Sequence, residues 1–264
     1  MKRYVGLLRN QFMSNLSYRE DFITSIIGTF SFYIVLYFLW NAIFASGDGV
    51  IKGMTFEQTF VYLVLASCFF RCLSNGVEWE MYFQIIRGDI IILMGKPLDY
   101  QIMMMFQKAG SAIMNLLFFG VPTYIALLVI FPNIISVGVN TIFFLICMAI
   151  SFIVMFSIEF LIGTVTFYTE SVWGISMIKN TIVAFFAGVT MPIQFFPDKL
   201  KEIAEILPFK SIYQDPLSIL INGNMDIMEI LRIVGFQILW MIIFVAISRL
   251  LYKTMLHKLV VNGG

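Results

Sequence analysis

Charge is scarce in this 264-residue chain: Asp, Glu, Lys and Arg together make up 12% of it, against about 25% in average soluble proteins. A soluble domain of this length could not hide a composition that is 60% hydrophobic and includes 28 Phe. Neither sign of charge dominates, with 17 basic and 16 acidic residues, so nothing marks a nucleic-acid partner. Histidine occurs once, at His257, which excludes an H-E-x-x-H zinc site. Cys68, Cys72 and Cys147 all lie inside apolar runs. The first two share a helix face, but no further ligand stands near enough in sequence to complete a metal site. The phosphate-cradling G-x-x-x-x-G-K-[ST] loop and the G-x-S-x-G elbow are missing as well. The chain is therefore expected to be no enzyme and to hold no metal or cofactor of its own.

What the sequence has instead is long apolar runs, near 22–45, 57–76, 102–131, 139–168, 172–191 and 227–252. Each reaches the roughly 17–20 residues that cross a hydrocarbon core. The expected fold is an all-α membrane protein with six transmembrane helices. The third and fourth runs would be about 45 Å long as helices and must tilt or project. Pro122, just after Gly120, predicts a kink in the third. Ahead of the spans, residues 1–20 place Tyr4, Val5, Leu8, Phe12 and Leu16 on one helical face, with Arg9 and Asn10 opposite. That pattern predicts an amphipathic helix lying on the membrane surface. The first apolar run is too long for the core of a cleavable signal and reads as a retained anchor. The organisation is thus an interfacial helix at 1–20 and a six-span domain at 21–264. A cytoplasmic N-terminus puts 12 Lys and Arg on the inner side and 5 on the outer, which predicts cytoplasmic termini at both ends.

Two connections stand out. The inner one, 77–101, holds Glu78-Trp79-Glu80, an apolar stretch from Ile85 to Met94 broken by Arg87-Gly88-Asp89, and then Gly95-Lys96-Pro97. Its apolar part is too short to span and is expected to lie along the inner surface as a short helix, facing headgroups or a protein partner. The outer one, 192–226, is interrupted by Pro192, Pro197, Pro208 and Pro216. Asp198 is its expected N-cap, for a helix with Leu200, Ile203 and Leu207 on one face. Two short broken helices dipping into the outer leaflet fit this segment. Backbone of that kind survives at membrane depth only where protein or a water-lined cavity surrounds it. Glu159 is the one carboxylate well inside an apolar run, and its depth places it near the inner interface, where an ion pair with Lys108 or Lys179 is expected and a substrate or proton contact is the alternative. Arg71, near the inner end of the second run, is placed to snorkel toward headgroups.

This pattern resembles the membrane permease subunits of type-2 ABC transporters. The resemblance rests on the basic amphipathic N-terminus, the six spans, the inner segment from Arg87-Gly88-Asp89 to Lys96-Pro97-Leu98-Asp99, and the outer run Pro192 to Asp198 with Leu207-Pro208-Phe209, Pro216 and Gly223. Phe167-Tyr168-Thr169-Glu170 is similar to the family's aromatic-Thr pattern at the entrance of the fifth span. The resemblance implies that the inner segment is a coupling helix docking on a separate ATP-binding subunit, present in two copies, with Arg87, Gly88, Asp89, Ile92 and Leu93 at the contact. It implies that the outer segment is re-entrant and narrows an exit, where Phe195, Phe196 and Phe209 are the expected gate. ATP and Mg belong to the partner, and a second permease, alike or different, completes the path. The expectation is a plasma-membrane exporter of an amphiphilic substrate, in contact with membrane lipid. A non-transporting membrane scaffold or sensor and an ion-coupled carrier remain the alternatives.

Overall fold

The computed structural model of the protein describes residues 2–17, 19–47, 49–169, 171–221, 223 and 225–262; Glu170, Asn222 and Asn224 of the sequence patterns above lie outside them. Helix α1 (Lys2–Ser17) is followed by α2 (Arg19–Ala45), a hairpin of β1 (Val50–Ile51) and β2 (Met54–Thr55), and α3 (Phe56–Leu73). Lys52 and Gly53 both take positive φ, 42° and 83°, the twist that a two-residue hairpin turn requires. Then come α4 (Val77–Ile86), α5 (Asp89–Met94), α6 (Tyr100–Asn115), a π-helical turn (Leu116–Gly120), α7 (Val121–Ile130) and α8 (Val139–Val165). The last part comprises α9 (Trp173–Phe186), α10 (Asp198–Ile206), α11 (Gln214–Ile221) and α12 (Ile227–Asn262).

Among the described residues, five helical units are long and apolar enough to cross a membrane: Ile23–Ala45, Phe56–Ile86, Tyr100–Ile130, Val139–Val165 and Ile227–Met255. The fifth apolar run, expected at 172–191, forms only the shorter α9. It stops at Phe186 because Gly188, at φ 77°, turns the chain back toward the segment that carries α10 and α11.

Burial follows the expected stripes. In α2 the buried residues Tyr33, Leu36, Trp40 and Phe44 recur every three or four positions, while Ile27, Val35 and Phe38 point outward. Helix α3 is the centre of the bundle, with Val61, Leu63, Leu65 and Ala66 fully buried. Helix α12 packs on α8, and α1 on α6.

Four local details refine or depart from the expectations. Helix α1 is packed along α6 rather than lying alone: Asn15 donates to Ser111 Oγ at 3.0 Å, and a Cβ on Gly110 would stand 2.4 Å from the Leu8 carbonyl oxygen. The face it turns inward includes Leu7 and leaves Val5 out. The kink near Pro122 is a π turn, closed by Val121 N–H donating to the Leu116 carbonyl. The wider turn accommodates a residue that cannot donate and whose ring crowds a regular helix. Residues 77–86 are not loop but a helix that continues α3 after a break at 74–76, because one face of it packs on α8. In the 192–226 segment Pro197 occupies the cap and Asp198 is the first helical residue, with no side-chain capping bond. The face of α10 turned inward runs through Leu200 and Ala204, and Ile203 is exposed.

Candidate functional site

At one end of the bundle α4 and α5 form an elbow. Gly88, at φ 76°, reverses the chain between them, a conformation glycine adopts without steric cost. Ile86, Arg87, Asp89, Ile91 and Ile92 are exposed at its tip, and the Arg87 guanidinium lies over the Phe83 ring at 5.5 Å. Of the residues singled out from sequence, Arg87, Gly88, Asp89 and Ile92 are thus at the surface together. Leu93 turns inward instead and packs with Ile90 on the cluster around Val77, Met81 and Tyr100. Ile86 and Ile91 belong to the exposed tip and were not singled out; both lie in the apolar stretch, and only the helical phase decides which apolar residue faces out.

The elbow is anchored by charges. Gly76, at φ 60°, starts α4 without a capping side chain. Its place is taken from across the bundle: Val77 N–H donates to Glu159 Oε2 at 3.1 Å, satisfying a helix-start amide that has no partner within its own helix. Lys179 stands between two carboxylates, 2.8 Å from Glu78 Oε1 and 3.4 Å from Glu159 Oε1. All three are buried. Ser176 donates to Glu78 Oε1 at 2.7 Å and receives the Trp79 indole N–H at 3.0 Å. One lysine therefore ties α4 to α8 and α9. Close approach of α4 to α8 depends on Gly163, where a Cβ would meet Met81 Sδ at 2.5 Å and Glu78 Cα at 3.2 Å.

A second pair completes this level. Lys108 on α6 lies 2.6 Å from Glu80 Oε2 and donates to the Asn75 carbonyl at 2.9 Å. Glu159 and its two prospective lysines are thus in the same region, with Lys179 on Glu159 and Lys108 on Glu80. The role of Glu78 was not visible in sequence, because a carboxylate next to Trp79 and Glu80 reads as loop.

The far end of the elbow is pinned at Asp99. Its carboxylate caps α6 by accepting from Ile102 N–H at 3.1 Å, and it receives both guanidinium nitrogens of Arg249 from α12. Its backbone N–H donates to Tyr4 Oη at 3.2 Å, so α1 joins the same corner. Burial opposes the charge on Asp99, but the Arg249 and Ile102 hydrogen bonds outweigh it and hold the carboxyl below its ordinary range.

The opposite end of the bundle is closed by residues 193–221, a cap with no ion pair to the spans among the described residues. Gln214 Oε1 accepts from Ile193 N–H at 3.0 Å and from Tyr62 Oη at 3.3 Å, and Tyr62 also donates to the Gly188 carbonyl at 3.0 Å. Gln237 Nε2 reaches Ser151 Oγ at 2.7 Å and the Cys147 and Ser211 carbonyls at 2.9 Å each. Ser151 donates to the Ile212 carbonyl at 2.8 Å. From the hairpin, Lys52 donates to the Phe196 carbonyl at 2.7 Å. The Phe196 ring is fully buried and stacks on Phe185 at 4.8 Å. Phe195 and Phe209 are half-buried, beside Trp40 at 5.8 Å and Phe186 at 6.4 Å. Sequence reasoning passed over Gln214 and Gln237; a lone amide inside an apolar run was the available signal for Gln237.

None of these groups forms a nucleophile paired with a base. The geometry is that of a bundle with a rigidly held, partly apolar elbow at one end and a cap at the other. A comparison with curated proteins finds no match. The family model described as "ABC-2 family transporter protein" matches residues 30–263, which takes in most of the first span, all of the others, the elbow and the cap. The chain belongs to the ABC-2 transporter family and is a multi-pass permease subunit of an ABC transporter.

Proposed function

We propose that this chain is the permease of an ATP-driven exporter, paired with a second permease, alike or different, and with two copies of an ATP-binding subunit. The observation that carries this reading is the elbow: an exposed tip of Ile86, Arg87, Asp89, Ile91 and Ile92 on helices tied by buried charges to α8 and α9. A partner that grips the tip moves those helices as one body, because a packed interior transmits displacement rather than absorbing it. ATP and Mg are bound and consumed in the partner, and this chain itself catalyses nothing.

In this reading there are six crossings in the plasma membrane, with α9 the short one, and both termini are cytoplasmic. The 193–221 cap is re-entrant in the outer leaflet and narrows the exit. Phe195 and Phe209 are the aromatic rings available to act there, since the Phe196 ring is occupied in packing. Closure of the two ATP-binding subunits shifts the elbows, tilts the bundles and opens a path between the permeases to the outside for an amphiphilic substrate.

The test is purification of the chain from its native membrane in gentle detergent, with mass spectrometry of what accompanies it. An ATP-binding subunit is expected in the eluate, and it should be lost when Asp89→Lys and Ile92→Asp are introduced together. If no ATPase accompanies the chain, the exporter reading fails, and a scaffold or an ion-coupled carrier takes its place.

A further inference from the structure

Between α2, α3 and the turn that follows α9 lies a groove of about 540 Å³, and against α9 a second of about 550 Å³. Phe70 and Thr190 line both, so the two adjoin in one region of the surface. Its walls are mostly aromatic and aliphatic, and its one full charge is Arg71. Arg71 is exposed, and among the described residues no carboxylate lies within 4.0 Å of it. The contact its guanidinium makes is with the Phe119 ring, 4.6 Å from the centroid.

The level of Arg71 matters. The Lys108 pair reaches Asn75, and Arg71 is one helical turn farther toward the cap, about 6 Å along the axis. It therefore sits beyond the charged level of the elbow, within the candidate span Phe56–Ile86. An uncompensated guanidinium there is costly. An anionic group removes that cost with paired, charge-assisted hydrogen bonds in the planar geometry that arginine offers. Behind the wall of the second groove, Asn180 Oδ1 is buried without a hydrogen bond among the described residues. The rest of the wall along α2 is apolar, from Phe32 to Trp40, and suits an alkyl chain.

We infer that this groove takes the transported solute and that the solute is an amphiphile with an anionic head, phosphate- or sulfate-like, held at Arg71 with its chain along α2. This rests on the exporter reading and adds the chemical class of the substrate to it.

The test measures equilibrium binding of three ten-carbon probes, decyl phosphate, decylphosphocholine and decyltrimethylammonium, to the complex purified with this chain in phosphatidylcholine nanodiscs. Decyl phosphate should bind about tenfold more tightly than either of the others. Arg71→Gln should remove that preference while leaving decylphosphocholine unchanged, and Arg71→Lys should keep most of it. Equal affinities for the three probes, or an unaltered preference in R71Q, would overturn the inference. If R71Q fails to fold, the probe preference of the unaltered protein and of R71K decides. The titration repeated with phosphatidylglycerol in the disc distinguishes the source of the anion. Persisting decyl phosphate binding supports a solute site, and its abolition means that a bilayer lipid occupies the groove and overturns the assignment. Binding is read without ATP. Absence of an ATP-binding subunit from the complex therefore sinks the exporter reading separately, whatever the probes do.

Discussion

At the elbow end of the bundle the polar contacts are made by full charges: the buried Lys179 with Glu78 and Glu159, and the partly exposed pair of Lys108 with Glu80. At the cap end the side-chain contacts to the spans fall mainly to neutral groups, Gln214 with Tyr62 and the Ile193 N–H, and Gln237 with Ser151 and two backbone carbonyls, beside one ion pair within the cap, Lys210 with Asp215 at 3.7 Å. Both ends hold irregular backbone in an apolar setting, yet they respond to damage differently. Removing one member of a buried ion pair strands a charge, whereas removing an amide leaves only unpaired neutral groups. The charged end is accordingly the one suited to acting as a unit, since its members cannot be separated cheaply. The neutral end holds a shape.

The largest expected effect is at Lys179. Lys179→Met leaves two buried carboxylates uncompensated and should cost about 3–5 kcal/mol, read as a large fall in the thermal midpoint of the detergent-purified protein. The triple change with Glu78→Gln and Glu159→Gln should recover most of that loss; no recovery would mean that packing, not charge, dominates this corner. Next is Gln237→Leu, which leaves the Cys147 and Ser211 carbonyls and Ser151 short of a donor. It should cost about 1–3 kcal/mol and speed proteolysis within 193–221. A loss as large as that at Lys179 would erase the distinction drawn between the two ends.

Comparable in size is Gly163→Ala, which presses a methyl group on Met81 and the α4 backbone and should cost about 1–3 kcal/mol. Because it pushes α4 off α8, it should also reduce ATP hydrolysis by the assembled complex without changing the cap. The smallest effect is at Asp99, whose partly exposed pair with Arg249 contributes less than about 1 kcal/mol. Its carboxyl is held below the ordinary value of about 3.9, so the bond contributes fully at neutral pH and fades as pH falls through the lowered folded value. Asp99→Asn should flatten that acid limb of stability, measured between pH 6 and 3.

Much of the molecule was legible in the sequence because apolar length needs no context. Five of the six expected spans, the break at Gly95 and the short helices near Pro208 and Pro216 followed from local pattern, whereas Arg87, Gly88, Asp89 and Ile92 came from the family resemblance. What was hidden depends on partners distant in the chain. Glu78 and Glu80 make Val77–Ile86 look like a loop until lysines from α9 and α6 neutralise them. Leu93 and Ile91 exchange places relative to expectation because the elbow turn at Gly88 sets the phase of α5, and no pattern in six residues fixes it. Likewise α1 reads as a surface helix until the small face at Gly110 and Ser111 of α6 is brought beside it.

The π turn at Leu116–Gly120 is a regular helix carrying one residue too many, and that has a consequence for insertions and deletions. The surplus residue is absorbed within a single turn, so Thr123 and Leu127 beyond it still face the interior. Deleting Phe118 should therefore preserve the register of α7. It would, however, force Pro122 into an ordinary helix turn, at a cost of about 3 kcal/mol. Deletion together with Pro122→Ala should be well tolerated where deletion alone is not. The extra residue and the proline thus behave as one genetic unit, to be gained or lost together.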